Sequence, residues 1–208
     1  MKALISTAKL VYILCFLLIL AGCKKKSIDP DPVVPMGKAF ITIETDGKKQ
    51  TYVEGNPGVE SLNIFGTSTE HDNVGHGGGI RIDKVSWEFF FYFPREEYLA
   101  NTGNFAKLFK PGKLDYLTLD RSFNYTKING VTINRGEQVT ANTGRYANSE
   151  YQENSNPQNF EISDAYFYNS TYDRFIWVEG SFDCSIGFFD DLKKVKGKFR
   201  IKVQHNDE

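Results

Sequence analysis

The segment HDNVGHGGGIRID, residues 71–83, contains the residue types that most directly suggest catalysis. Residues 76–79 have the His-Gly-Gly-Gly order with which lipases and esterases build an oxyanion hole. That use requires a nucleophile elbow, Gly-x-Ser-x-Gly, and the chain contains none, since residues 66–70 have Ser68 at the centre but lack the second glycine. We therefore predict that residues 76–79 are a glycine-rich loop between strands, where glycine permits positive φ and close backbone approach.

The same segment contains potential metal ligands in His71, Asp72 and His76. A zinc site needs three or four nitrogen, sulfur or carboxylate ligands in a fixed arrangement. A loop fixes no such geometry between two histidines, and the third histidine, His205, lies near the C-terminus. The chain also contains no His-Glu-x-x-His, P-loop, dinucleotide-binding or EF-hand pattern. We therefore predict no metal site and no cofactor, and we expect His71 and His76 to be solvated and dispensable for folding.

Paired carboxylates could indicate a glycosidase, in which two acidic residues flank the scissile bond. Glu96 and Glu97 fit better as acids in the first turn of a helix, and Asp190 and Asp191 as turn residues. No residue is therefore assigned as catalytic. Any two of the 26 acidic residues can nevertheless converge in space, so a glycan-processing enzyme remains an alternative.

Alternation of apolar and polar residues dominates the rest of the chain and is typical of strands. Asp46-Gly47 and Asn129-Gly130 are hairpin-turn sequences, and the polar stretch 136–158 is long enough to contain an edge strand. One short helix is predicted at PREEYLAN, residues 94–101, with a proline at its start and acids in its first turn. The pattern predicts an all-β fold, either a single antiparallel β-sandwich or a partly closed lipocalin-like barrel, with one short helix.

Three consecutive antiparallel strands are predicted between residues 159 and 204. Cys184 alternates with apolar residues in the second, so we expect a buried, unreactive thiol. One face of the third carries five basic residues: Lys194, Lys196, Lys198, Arg200 and Lys202. This face suits either an acidic glycan or lipopolysaccharide, or cross-strand pairs with acids such as Glu179 and Asp183.

The most aromatic segment of the chain is IRIDKVSWEFFFYFP, residues 80–94, which we predict to be a strand. Alternation assigns four of its residues to the core: Trp87, Phe89, Phe91 and Phe93. The other face carries Glu88, Phe90 and Tyr92, which suit either a helix or loop packed over them or a ligand groove. In a groove the rings would stack on the ligand while the carboxylate accepts hydrogen bonds. Tyr166 and Tyr168, on another predicted strand, are candidates to extend that binding surface.

The first 22 residues have the pattern of a signal peptide. Lys2 and Lys9 mark a basic start, and residues 10–22 form an uncharged run. That run is too short for a membrane span, which needs about 20 apolar residues. It ends in LAGC, a lipobox, which predicts cleavage before Cys23 and acylation of that cysteine by chains such as palmitate.

Residues 23–37 are predicted to be a tether rich in lysine and proline, and residues 38–208 a single all-β domain of sufficient length to bury a core. Without the signal peptide the chain has 23 basic and 26 acidic residues, so no positive excess points to nucleic acid. Cys184 is the only cysteine in the domain, which excludes an intrachain disulfide there.

The lipobox, the charged tether and the closing segments NFEISDAYFY, WVEGSFDCSI and VKGKFRIKV resemble small lipoproteins that are abundant in Bacteroidota. The resemblance implies a cell-envelope location with lipid anchoring to the outer membrane, and it implies no particular activity. In surface-exported members acidic residues often follow the cysteine directly, whereas residues 24–26 are lysines here. Periplasmic and surface-exposed locations therefore both remain open.

Three functional hypotheses follow. The first is a lipid-anchored, non-enzymatic β-domain of the cell envelope that binds a ligand or partner, such as a glycan or another envelope protein. The second is a structural envelope or assembly component, and the third is a glycan-processing enzyme. An exposed aromatic platform would favour the binding domain. A smooth polar surface with an unpaired edge strand would favour the structural component, and a pocket with two opposed carboxylates would favour the enzyme.

Overall fold

The computed structural model describes residues 33–64, 73–117, 129–140, 143–148, 159–167, 175–188 and 191–204. The strands within these ranges are β1 (Phe40–Thr45), β2 (Lys48–Val53), β3 (Val59–Ile64), β4 (Asn73–Ile82), β5 (Val85–Pro94), β6 (Gly112–Leu114), β7 (Gly130–Thr140), β8 (Thr143–Asn148), β9 (Asn159–Tyr166), β10 (Phe175–Phe188) and β11 (Asp191–Gln204). An α-helix, α1, spans Arg95–Ala100, and a 3₁₀ segment, η1, spans Thr102–Leu108 with a kink at Asn104.

The strands follow one hydrogen-bonded path that folds into two layers. The path runs β2-β1-β11-β10-β8-β7-β5-β4-β3, while β9 pairs with both β10 and β6. The two layers meet where β11 packs against β4 and β3, and a single residue pair, Gly187 with Asn148, joins β10 to β8. Among the described strands the path ends at β2 and β3 without closing into a barrel. The predicted all-β fold is confirmed, in its sandwich form.

Local sequence accounts for several of these elements. Asp46 and Gly47 have φ of 53° and 74°, the two left-handed conformations that a tight hairpin between β1 and β2 requires. Pro94 precedes α1, whose first turn carries two acids as predicted. β7 begins at Gly130, but the first arm of the hairpin predicted around it falls in residues 118–128, outside the described ranges.

Aromatic rings fill the space between the layers. The four ring-bearing residues that alternation assigned to the core of β5 are all buried, as predicted: Trp87, Phe89, Phe91 and Phe93. On β10 and β11 two further rings pair reciprocally with glycines, Phe199 with Gly180 and Phe182 with Gly197. A Cβ on either glycine would come within 2.8 Å of the opposing ring. The glycines therefore make the room that the two rings occupy.

Residues 76–79, predicted to be a loop, lie in the middle of β4. Their strand pairs with β3 on one side and with β5 on the other. The loop prediction was wrong because glycine has no side chain and leaves no apolar alternation in the sequence. The strand ends at a tight turn, in which Asp83 has φ of 52°, so residues 80–82 belong to β4 rather than to the aromatic strand.

Candidate functional site

His76 is a buried strand residue with 2% of its surface exposed, which corrects the prediction of a solvated loop histidine. Its ring stacks on Tyr98 of α1 at 5.1 Å between centroids and meets Phe105 of η1 edge-on at 4.7 Å. Its Nδ1 lies 3.3 Å from the carbonyl oxygen of Gln204. Because a carbonyl only accepts, this hydrogen bond requires the tautomer with the proton on Nδ1. His76 thus links the helical segments to the end of β11, while His71 lies outside the described residues.

Gly78 contacts the same end of β11. A Cβ on Gly78 would overlap the carbonyl oxygen of Lys202, so this approach of two backbones requires glycine. The oxyanion-hole interpretation fails for a related reason, because residues 77–79 are paired with β3 and β5 on both sides. Backbone N–H groups committed to sheet ladders cannot also bind an oxyanion. The histidine and glycines of this segment therefore serve packing and pairing.

Phe90 and Tyr92 cover the glycine backbone of β4. Phe90 is half-buried and pairs across the sheet with Gly77, whereas Tyr92 is buried and pairs with Gly75. A Cβ on Gly77 would lie 3.1 Å from the Phe90 ring, and one on Gly75 would lie 2.9 Å from the Tyr92 ring. Rings that rest over glycines stabilise the strand pair. Both residues therefore have a structural role, whether or not they bind a ligand.

The other candidate binding residues are distributed over different strands. Glu88 is partly exposed on β5 and accepts a hydrogen bond of 2.8 Å from the Ser86 hydroxyl. Tyr166 lies on β9, which β10, β8 and β7 separate from β5 along the path. Its hydroxyl donates to Glu179 at 2.7 Å, and burial, followed by this hydrogen bond, raises the pKa of Tyr166. Tyr168 lies outside the described residues. The structure therefore does not place Tyr166 beside Glu88.

The basic face of β11 has a covered end, formed by Arg200 and Lys202. Arg200 donates from Nε to Glu179 at 2.7 Å and from a terminal nitrogen to the carbonyl oxygen of Pro35 at 3.0 Å. Its guanidinium also lies over the Phe40 ring, 5.4 Å from the centroid. With only 9% of its side chain exposed, Arg200 ties the segment before β1 to the sheet.

Lys202 makes the second set of contacts at the covered end. Its Nζ donates to Glu54 Oε1 at 2.9 Å, and Glu54 Oε2 accepts from the Ala39 backbone N–H at 2.9 Å. The ammonium also lies 5.2 Å from the centroid of the Trp177 ring, a cation–π contact. These contacts hold the beginning of β1 and the turn after β2 against β11.

Lys194, Lys196 and Lys198 form the open end of the same face. Lys196 pairs with Glu44 on β1 at 3.2 Å, and Lys194 lies 3.8 Å from Asp183 on β10. Their side chains are 53% and 59% exposed. Lys194, Lys196, Arg200 and Lys202 each have a carboxylate within 4.0 Å. The predicted cross-strand pairing with Glu179 and Asp183 is confirmed.

A depression of about 250 Å³ lies over the open end, and we call it the strand groove. Its lining comes from five strands: Thr42, Glu44, Lys49, Asn159, Ser181, Phe182, Asp183, Lys196, Gly197 and Lys198. The sequence pointed only to the lysines of β11 and to Asp183 of β10, because alternation marks a face but not the strands that pair beside it. The residues from β1, β2 and β9 could not be assigned to this surface before the strand order was known.

A second depression, of about 350 Å³, lies between η1 and β9, and we call it the cap groove. Its lining is Asn101, Ala106, Lys107, Phe109, Lys110, Pro111, Asp164 and Ala165. Lys110 pairs with Glu97 at 2.7 Å, and the Asn101 amide donates to the Glu97 carbonyl oxygen at 2.8 Å. Most of its wall is irregular backbone, whereas the strand groove is built on paired strands that hold their side chains in register.

Cys184 is buried on the core side of β10, as predicted. Burial raises the pKa of its thiol from 9.0 to about 12, and nearby Asp183 also raises it, while contact with the Tyr116 hydroxyl acts in the opposite direction. Burial also raises the pKa of Tyr116. A thiol that stays protonated and buried is a poor nucleophile, so Cys184 is a packing residue.

Within the described ranges no group of three or more His, Cys, Asp and Glu side chains is placed to hold a metal ion. In the same part of the chain no helix has the length and apolar composition of a membrane span. The chain matches no known family model, no curated protein and no solved structure. Functional inference therefore depends on the geometry of the two grooves and on the N-terminal motif.

Proposed function

We propose that the protein is a lipid-anchored β-domain of the cell envelope that binds a ligand or partner without catalysis, and that the strand groove is the binding site. The observation that carries this proposal is the convergence of ammonium, carboxylate, hydroxyl and amide groups from five strands over one depression. Small-molecule sites combine a few such polar groups with apolar walls. The lysine stems supply apolar surface in the strand groove.

The position of these groups on paired strands supports a binding role. Glu44 and Asp183 are direct cross-strand neighbours of Lys196, and Thr42 and Ser181 are direct neighbours of Lys198. Sites on sheet strands hold their side chains more precisely than sites on loops, so less ordering accompanies binding. A preorganised polar surface of this kind suits recognition.

The proposed envelope location rests on the lipobox and predicts that Cys23 is the acylated N-terminus of the mature protein. Replacing Cys23 with serine removes the acyl acceptor, so the variant should be soluble or unprocessed. Labelling with a palmitate analogue and membrane fractionation would measure this outcome. A processed Cys23→Ser protein that still fractionates with membranes would contradict the anchor.

The binding role can be tested with the full-length protein in detergent micelles against a panel of envelope components. The panel contains polysaccharides, lipopolysaccharide and soluble peptidoglycan fragments. A double variant, Ser181→Ala with Lys196→Ala, should weaken the binding of any genuine ligand, whereas Lys84→Ala, an exposed lysine in the β4–β5 turn, should not. Binding that the groove variant leaves unchanged, or a panel without any binding, would count against the strand groove.

A second candidate function is glycan hydrolysis, because Glu44 and Asp183 line the same groove on either side of Lys196. Two strand spacings separate their backbones by about 10 Å, close to the carboxyl separation of roughly 6.5–9.5 Å in inverting glycosidases. A general acid, however, needs surroundings that keep it protonated, and Glu44 instead pairs with Lys196 at 3.2 Å. Hydrolysis would be established if the wild-type protein released reducing sugar from a glycan and if Glu44→Gln and Asp183→Asn each abolished that release.

A further inference from the structure

The side chains of the strand groove form two rows that cross the strands. The first row is Lys49, Glu44, Lys196, Asp183 and Asn159, each a direct cross-strand neighbour of the next. Within the groove the second row is Thr42, Lys198 and Ser181, and it continues outside the lining as Thr51 at one end and Glu161 at the other. The first row alternates positive and negative charge and contains two lysines and two carboxylates. The first row is therefore rich in charge but balanced.

From this pattern we propose that the strand groove binds a neutral, polyhydroxylated ligand, a short stretch of a sugar chain, rather than a polyanion. The inference rests on the proposed function and specifies its ligand. A polyanion would gain attraction from Lys196 but would also face the carboxylates of Glu44 and Asp183, which lie one strand away on each side. Like charges at that distance oppose binding.

A hydroxyl group suits the alternating row because it both donates and accepts hydrogen bonds. Placed between an ammonium and a carboxylate, it accepts from Lys196 and donates to Glu44 or Asp183 with no charge left over. Hydrogen bonds to charged partners are stronger than those between neutral groups. The hydroxyl of Ser181 extends the same pattern in the second row, whereas the buried Thr42 hydroxyl shares a hydrogen bond of 2.8 Å with that of Thr51.

The size and walls of the groove fit a small part of such a chain. Its volume of about 250 Å³ lies below the roughly 300–1,000 Å³ of pockets that enclose drug-sized ligands. Neighbouring strands lie about 4.8 Å apart, close to the length of one sugar ring, so successive hydroxyl groups meet successive strands. The lysine stems offer apolar contact to the C–H faces of the rings.

The test compares neutral and acidic oligosaccharides of equal length. Cellohexaose, maltohexaose, xylohexaose and laminarihexaose represent the neutral class, and hexagalacturonate represents the acidic one. Titration calorimetry with the full-length protein in detergent micelles, at low and high NaCl, should show a neutral hexamer binding with little salt dependence, because no net charge is neutralised. Hexagalacturonate should bind more weakly than that hexamer.

Three variants locate and explain the binding. Ser181→Ala should weaken it about fivefold, the effect of one lost hydrogen bond of about 1 kcal/mol. The double change Glu44→Gln with Lys196→Gln removes both charges but keeps donors and acceptors, so neutral-sugar binding should weaken by about tenfold, because hydrogen bonds to neutral partners are weaker than those to charged ones. Lys84→Ala serves as the control outside the groove.

Two outcomes overturn the assignment. The ligand class is refuted if no neutral hexamer binds. It is also refuted if the protein prefers hexagalacturonate, with an affinity that depends on salt and that Ser181→Ala weakens. If a charged envelope component binds and the Ser181→Ala with Lys196→Ala variant loses it, the ligand class fails while the binding function stands. If no envelope component depends on the groove, both fail.

Discussion

The two ends of the basic face of β11 place the same kind of side chain in opposite surroundings. Arg200 and Lys202 are 9% and 22% exposed, contact aromatic rings and hold the start of β1. Lys194 and Lys196 are 59% and 53% exposed, and Lys196 lines the strand groove. Sequence spacing is identical at both ends, so the residues packed around each cation decide its role. A covered cation stabilises the fold, whereas an open one is available to a ligand.

The largest loss of stability that this comparison predicts comes from substitution of Gly78, which lies beneath the covered end. In Gly78→Ala the new Cβ would overlap the Lys202 carbonyl oxygen, a backbone atom that cannot rotate away. We expect a loss of about 4 kcal/mol or more in the free energy of unfolding, the range of exceptional single mutations. Denaturant unfolding followed by circular dichroism would measure it.

Gly77→Ala is the matched control, because its new Cβ would meet only side chains, those of Ile64 at 3.0 Å and Phe90 at 3.1 Å. These can shift by a few tenths of an ångström, so the control should lose less stability. Equal losses at the two positions would show that the Lys202 contact is not the reason for Gly78.

Arg200→Ala should have the next largest effect. It leaves Glu179 with one fewer partner and releases the Pro35 carbonyl oxygen. Breaking a largely buried pair costs about 3 kcal/mol in the free energy of unfolding, and the backbone amides of residues 36–39 should exchange hydrogen faster. The prediction fails if exchange at the Ala39 amide is unchanged and the free energy of unfolding falls by less than about 1 kcal/mol, the usual value of a surface pair. Arg200 would then contribute no more to stability than the exposed lysines of the open end.

His76→Ala should lower the free energy of unfolding by about 2 kcal/mol, since it removes a buried ring and its hydrogen bond to the Gln204 carbonyl oxygen. His76→Phe keeps a ring beside Tyr98 and Phe105 but loses that hydrogen bond, so its loss should be smaller. Thermal unfolding would compare the two variants. A fully stable His76→Ala protein would restore the sequence-based expectation that this histidine is dispensable.

The Cys184 thiol, which lies beneath the open end of the face, predicts that the stability of the fold depends on pH. In the unfolded chain the thiol ionises near its ordinary pKa of 9.0, whereas the native state keeps it protonated up to a pKa of about 12. This stabilisation is complete below pH 9 and is lost as the pH rises through 12.

At about pH 10.5 the wild type should therefore have lost about 2 kcal/mol more than Cys184→Ala, relative to neutral pH. Denaturant unfolding of both proteins at the two pH values measures the difference. Parallel losses in the two proteins would show that other groups, such as lysines and tyrosines, account for alkaline destabilisation.

Lys196→Ala should have the smallest effect on stability, within about 0–1 kcal/mol, because its pair with Glu44 is half exposed. Thermal unfolding at low and high salt would show a difference from wild type that shrinks as the pair is screened. A loss as large as that of Arg200→Ala would mean that the open end also holds the fold together.

Much of the fold could be predicted from local patterns in the sequence. The core face of β5, the hairpin at Asp46-Gly47 and the short helix after Pro94 all agree with the structure. Each depends on residues that are neighbours in the chain, where alternation, turn preference and helix-start signals act directly. The same patterns failed at residues 76–79, because glycines carry no side chain from which a period can be recognised.

The sequence by itself determined that the chain folds as an all-β domain, which faces of β5 and β11 are apolar, and that Cys184 is buried. Only the tertiary structure decided that Gly78 of β4 receives the backbone of β11, and that Glu44, Lys196 and Asp183 share one groove. The physical reason is the distance along the chain between partners. Backbone approach and cross-strand pairing depend on which strands become neighbours, and alternation within one strand contains no information about the identity of its neighbour.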